Sequence, residues 1–122
     1  MSNIMLSIQP QFVEKILSGE KRFEFRKVKA KLPPEKIIIY STSPISQVIG
    51  EADVEKILID TPENLWDLTS VHSGIDEMFF KNYYKNRNEA VAYELKNVTV
   101  YSEPKDLKEF GINAAPQSFV YI

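Results

Sequence analysis

"SGEKRFEFRK", residues 18–27, is the stretch that decides how this chain is read. Gly19 stands at its head. Lys21, Arg22, Glu24, Arg26 and Lys27 then surround only two apolar residues, Phe23 and Phe25. Side chains alternate between the two faces of a strand. A strand here sends Phe23 and Phe25 one way and Arg22, Glu24 and Arg26 the other. The preceding residues predict a short helix over 10–18. Pro10 suits a first helical turn, where its missing N–H costs nothing. Phe12, Val13, Ile16 and Leu17 fall on one helical face. Gly19 sits just past the end, where a left-handed residue closes a helix. The plain reading of the charged face is a solvated ion pair, worth about 0–1 kcal/mol. The sharper reading is a polar site built on a rigid element.

Working outward, "IMLSI" (4–8) reads as a buried strand. In "KVKAK" (27–31) the alternation continues, placing Lys27, Lys29 and Lys31 on one side until Pro33-Pro34 breaks the chain. "KIIIYST" (36–42) is too apolar to be exposed on both faces. "QVIGEADVEKILI" (47–59) changes phase near Glu55-Lys56, which predicts a bulge, and Gly50 predicts a bend or a close backbone approach. Thr61-Pro62 begins a helix. Ser73 with Asp76 three residues on predicts the start of another, with Ile75, Met78, Phe79 and Tyr83 as its inward stripe. "AVAYELKNVTVY" (90–101) is a strand, Pro104 opens a helical turn through Gly111, and "SFVYI" (118–122) is a last strand. About six strands and three or four short helices, without regular alternation, argue against a doubly wound parallel sheet. The predicted fold class is α+β: a small, mostly antiparallel β-barrel with short helices packed outside.

The totals bound the function. A chain of 122 residues predicts a single domain over 1–122. The absence of cysteine removes disulfides, thiolate metal sites and cysteine nucleophiles. With His72 as the lone histidine, a histidine metal site is not expected, and no organic cofactor or metal is implied. Neither a membrane-spanning run nor a secretory leader is evident, so the expected location is cytoplasmic. The formal net charge of −2 hides an asymmetry. Residues 1–36 hold 8 basic and 4 acidic side chains, residues 37–79 hold 1 and 8, and residues 80–122 hold 6 and 5. The total charge argues against a strong nonspecific nucleic-acid binder, whose domain would usually be strongly basic. The field near residues 21–31 is nonetheless cationic.

Gly19-x-Lys21-x-x-Glu24-x-Arg26 resembles the G-x-K-x-x-E-x-R signature of the ASCH domain family, a branch of the PUA-like superfamily. "LSIQPQFVEKILSGEK" before it, and "IIIYSTSP", "VIGEADV" and "PQSFVYI" after it, are similar to that family's other blocks. The resemblance implies a small barrel with a cleft lined by the signature residues, and RNA or a modified nucleoside as ligand. It also implies that some members are hydrolases of RNA or of acylated nucleosides. In the branch that resembles acetylcytidine amidohydrolases the position of Glu24 carries a threonine nucleophile. Glu24 departs from that pattern, while Lys21 matches it.

The candidate ligand-binding residues follow. Arg26 has a planar fork suited to a phosphate or a base, and Glu24 can hold a cation or accept from an exocyclic amine. Lys21 is a point charge beside a tight turn. Ser41, Thr42 and Ser43 offer hydroxyls after a strand or simply make a turn. Tyr40 beside them is a candidate stacking platform. Gln117 and Ser118 open the last strand, and a glutamine amide can pair with a base edge. Lys27, Lys29 and Lys31 are candidate phosphate contacts or a charged edge that blocks aggregation. Trp66, Phe79, Phe80, Tyr83 and Tyr84 read as core, and His72 as surface. The expected function is an RNA- or nucleotide-binding module. The alternatives are a small hydrolase using Lys21 and Glu24 as catalytic residues, or a protein-interaction module whose contact surface is the acidic middle third.

Overall fold

A computed structural model describes residues 2–122. Its six strands are β1 (Asn3–Ile8), β2 (Phe23–Arg26), β3 (Lys36–Ser41), β4 (Gln47–Asp60), β5 (Ala90–Lys105) and β6 (Phe119–Tyr121). They form one sheet in the order β2-β5-β4-β3-β1-β6. β1 and β3 run parallel and every other pair is antiparallel. The sheet curls into a half-barrel around a core of Ile4, Leu6, Ile8, Ile37, Ile39, Val91 and Tyr93. The expected mostly antiparallel architecture is therefore present, with one parallel pair.

Helix α1 (Pro10–Ser18) presses Val13 and Ile16 onto that core. It stops where the sequence places its glycine: Gly19 adopts φ 86° and its N–H donates to Ile16 O at 3.1 Å. Helix α2 (Pro62–Thr69) starts at Thr61, whose hydroxyl accepts from the Asn64 N–H. Helix α3 spans Glu77–Tyr83. α2 and α3 cover a second apolar cluster built on Phe23, Phe25, Leu65, Phe80 and Tyr84. The long strands bend at register shifts, one of them between Val54 and Lys56, where the change of phase predicts a bulge. Gly50 lets the strands close up, since a Cβ there would stand 2.3 Å from Thr99 O.

Three local expectations are corrected. α3 begins at Asp76, whose carboxylate accepts from the Phe79 N–H at 2.7 Å; Ser73 instead turns its hydroxyl onto the Ser70 and Ile75 carbonyls. The inward face also differs from the expected stripe. Phe80 and Tyr84 are buried, whereas Met78 and Phe79 are exposed. The strand over 27–31 is absent: β2 ends at Arg26 and the chain leaves the sheet as bends. At the C-terminal side, Pro104 lies inside β5, and the short 3-10 turn Leu107–Phe110 starts after Asp106.

Candidate functional site

A cleft of about 170 Å³ opens between the end of β1, the start of α1, strand β2 and helix α3. Lys21, Glu24 and Arg26 form its polar side. Phe12, Phe25, Ile75, Phe79 and Tyr83 form its apolar side, and Ser7, Ile8 and Gln9 its rim.

Each polar group is held by a different part of the fold. Lys21 sits between the α1 stop and β2, with its backbone N–H donating to Lys15 O at 2.9 Å. Its side chain runs inward and is 3% exposed. The ammonium donates to Ser73 O at 2.7 Å and lies 4.8 Å from the Phe25 ring centroid and 5.5 Å from that of Phe12. Burial dominates its protonation and lowers its pKa to about 8. Glu24 pulls the other way, and the charges of Lys15 and Arg26 add to the depression. The loop above it fits closely. Gly74 has φ +70°, and a Cβ on it would stand 2.5 Å from Lys21 Cβ.

Glu24 is paired across the sheet with Tyr93, and Arg26 with Val91. The two charged side chains share one face of β2 and meet there. Arg26 Nη2 donates to Glu24 Oε2 at 2.8 Å and to Ser7 O at 3.0 Å. Arg26 Nε is buried with no partner among the described residues. Such an unmet donor costs about 1–3 kcal/mol. Tyr84 anchors the end of β2, its hydroxyl shared between Arg26 O at 2.8 Å and Val91 O at 3.1 Å. Tyr83 donates to Phe25 O at 3.3 Å, and burial raises its pKa.

The remaining sequence candidates are distributed around this centre. Ser41 is buried on the core face of β3. Thr42 donates its N–H to the carbonyl of Ile8, a rim residue, and Ser43 is exposed in the turn beyond. Ser118 accepts from the Ser7 N–H at 3.3 Å, so it and exposed Gln117 stand beside the rim without lining it. Tyr40 is placed elsewhere: it is buried with Met5, Ile38 and Val48 on the opposite face of the sheet. Strand parity puts it there, one residue out of phase with Ile39 and Ser41. Lys27, Lys29 and Lys31 are all exposed, and the Lys27 ammonium lies 4.8 Å from the ring centroid of Tyr83, which lines the cleft. Trp66, Phe80 and Tyr84 pack in the second cluster, as expected of core, and His72 is exposed. Phe79 is the aromatic that sequence reasoning misplaced. It lies edge-on to Phe12 at 5.4 Å and lines the cleft while 44% exposed. Phe80 and Tyr84, spaced i and i+4, form the inward pair of α3 in its place.

The sequence pattern of the ASCH domain matches residues 6–105. The chain belongs to the ASCH domain family. Its half-barrel matches the crystal structure of ASCH from Zymomonas mobilis with a TM-score of 0.88 at 28% identity, over 98% of this chain and 87% of that one. A protein of Zymomonas mobilis named ASCH domain-containing ribonuclease is 32% identical over 95 residues, which is 76% of this chain and 64% of the relative. A protein of Ureaplasma parvum named ATP synthase subunit alpha is 35% identical over 122 residues, covering 98% of this chain but 15% of that protein. This ASCH chain thus spans only part of the length of these curated relatives. Among the described residues no cluster of metal-ligating side chains occurs, and no helix is long and apolar enough to cross a membrane.

Proposed function

We propose that this ASCH domain binds single-stranded RNA and seats one nucleotide in the cleft of Lys21, Glu24 and Arg26. The observation that carries the reading is the Glu24–Arg26 pair. A buried carboxylate and guanidinium stand side by side on a rigid strand, facing an apolar wall. Glu24 Oε2 is engaged by Arg26, and Oε1 remains to accept from an amine on a base edge, as acidic side chains do with cytosine. Arg26 and Lys21 supply positive charge for a phosphate or carbonyl oxygen. Phe79 offers a ring on which a base can stack. Lys27, Lys29 and Lys31 extend the positive field to neighbouring phosphates without reading sequence. A relative named as a ribonuclease supports RNA as the ligand class.

A second reading, cleavage of that RNA, is favoured by the protonation of Lys21. An amine with a pKa of about 8 exchanges protons near neutrality far more readily than an ordinary lysine. In such a reaction Glu24 takes the proton of a ribose 2′-hydroxyl as that oxygen attacks phosphorus. The bond from phosphorus to the 5′ oxygen breaks, and Lys21 protonates the departing oxygen.

Fluorescence anisotropy with short RNAs, followed by product analysis on the same samples, tests both readings with the Glu24→Gln variant. For a binding module the variant weakens or changes base preference, and no product forms with either protein. For a ribonuclease the natural chain cuts RNA, and the variant binds it and stops. Absence of RNA binding by the natural chain at low salt removes both.

A further inference from the structure

The cleft contains an unusual nucleophile as well as a binding surface. Lys21 is the buried lysine at its base, held by one hydrogen bond to Ser73 O. Its methylene stem is fixed against Gly74, and two phenylalanine rings exclude water from its flank. Beside it lie a carboxylate that can move protons and a guanidinium that can hold an anion. A desolvated lysine next to another cationic group is the arrangement that activates amines toward carbonyl carbon.

We propose that Lys21 forms an imine with a phosphorylated aldehyde, a class that includes the ring-opened sugar of an abasic nucleotide. The Lys21 Nζ lone pair adds to the aldehyde carbon, and one proton of the nitrogen passes through the Glu24 carboxylate to the former carbonyl oxygen, giving a carbinolamine. The second nitrogen proton follows the same route through Glu24 to the hydroxyl, which leaves as water as the carbon–nitrogen double bond forms. Amine and aldehyde thereby give imine and water, with no oxidant or reductant. Arg26 holds the phosphate. The neutral amine this requires keeps two N–H groups, so the bond to Ser73 O survives while the lone pair is free to add. With a pKa of about 8, roughly a tenth of Lys21 is neutral at pH 7. For an ordinary lysine near 10.4 the fraction is well below about one-thousandth. The inference stands on this amine and does not rest on RNA being the ligand.

The test uses pyridoxal 5′-phosphate as probe, with cyanoborohydride to reduce any imine, and peptide mass spectrometry to locate adducts in the natural chain. The expected result is an adduct at Lys21 that forms on the order of tenfold to a hundredfold faster than at exposed lysines such as Lys29 and Lys31. Its rate rises with pH and levels off above about pH 8, not above 10. Pyridoxal without the phosphate reacts more slowly at Lys21, and the Arg26→Gln variant loses that difference. Site mapping in the natural chain needs no variant to fold. Adducts spread over exposed lysines with Lys21 unmodified, or Lys21 labelled no faster than they are, would overturn the proposal.

Discussion

The guanidinium of Arg26 stands 2.8 Å from the carboxylate of Glu24, and neither side chain is more than 14% exposed. The two residues are two apart on one strand, so each fixes the other on the same face of β2. Breaking a buried pair by removing one partner costs about 3–5 kcal/mol, because the remaining charge is left unpaired. Glu24→Gln keeps an acceptor for Arg26 and should lose less, about 1–3 kcal/mol. Glu24→Leu, which leaves none, should lose more. Urea denaturation of the two variants checks the order. Equal losses would show that the acceptor kept by Glu24→Gln does nothing for Arg26, and that the charge lost in both variants is what holds it.

Lys21 ties stability to pH. Its folded pKa of about 8 lies below its unfolded value near 10.4, so the unfolded chain binds more protons between those pH values. Stability should therefore rise with pH from about 8 toward 10.4. Below pH 8 the buried ammonium is a constant burden, on the order of 3 kcal/mol. The buried tyrosines Tyr83, Tyr84 and Tyr93 have raised pKa values and act only later, lowering stability above about pH 10. Lys21→Met should be more stable than the natural chain at pH 7 by about 1–2 kcal/mol, after loss of the bond to Ser73 O. The rise between pH 8 and 10 should vanish in it. Chemical denaturation at a series of pH values measures both.

Gly74 is the residue that lets Lys21 lie where it does. Its φ of +70° disfavours any side chain, and an added Cβ meets the Lys21 stem at 2.5 Å. Gly74→Ala should lose about 2–4 kcal/mol from backbone strain and overpacking together. It should also raise the Lys21 pKa toward the ordinary lysine value, because displacement brings the ammonium nearer water. Side-chain NMR titration reads the second effect apart from the first.

Phe79 separates the cleft wall from the core. It is 44% exposed, so Phe79→Ala should change stability far less than Phe80→Ala, whose fully buried ring should cost about 3–5 kcal/mol. If a base stacks on Phe79, RNA affinity should fall by about 1–3 kcal/mol in the Phe79 variant. Thermal melts and anisotropy titrations on the same preparations compare the two effects.

The exposed lysines should act through salt. Replacing Lys27, Lys29 and Lys31 together by glutamine should weaken binding to all RNA sequences alike. The slope of log affinity against log salt should become shallower by about 0.7 for each phosphate that is no longer neutralised. An unchanged slope would make the strip a solvated edge and nothing more.

Much of this architecture was written locally. The α1 stop at Gly19, the cap at Thr61 and the alternation of β2 depend on neighbours within a few residues, and single-residue chemistry settles them. The meeting of Glu24 and Arg26 follows from the same alternation. What local pattern could not decide was depth and partnership. Arg22 and Glu24 alternate alike along the chain, yet Arg22, just before β2, is exposed, whereas Glu24, inside β2, is buried and lines the cleft. Tyr40 and Phe79 exchanged their expected roles for the same kind of reason. Strand parity puts Tyr40 on the far face of the sheet, and the packing of Phe80 and Tyr84 into the core leaves Phe79 on the side of α3 that lines the cleft. The burial of Lys21, and with it the depressed pKa, came from Ser73 and Gly74, more than fifty residues away. Desolvation depends on every atom that displaces water, and the packing of distant segments supplies most of them.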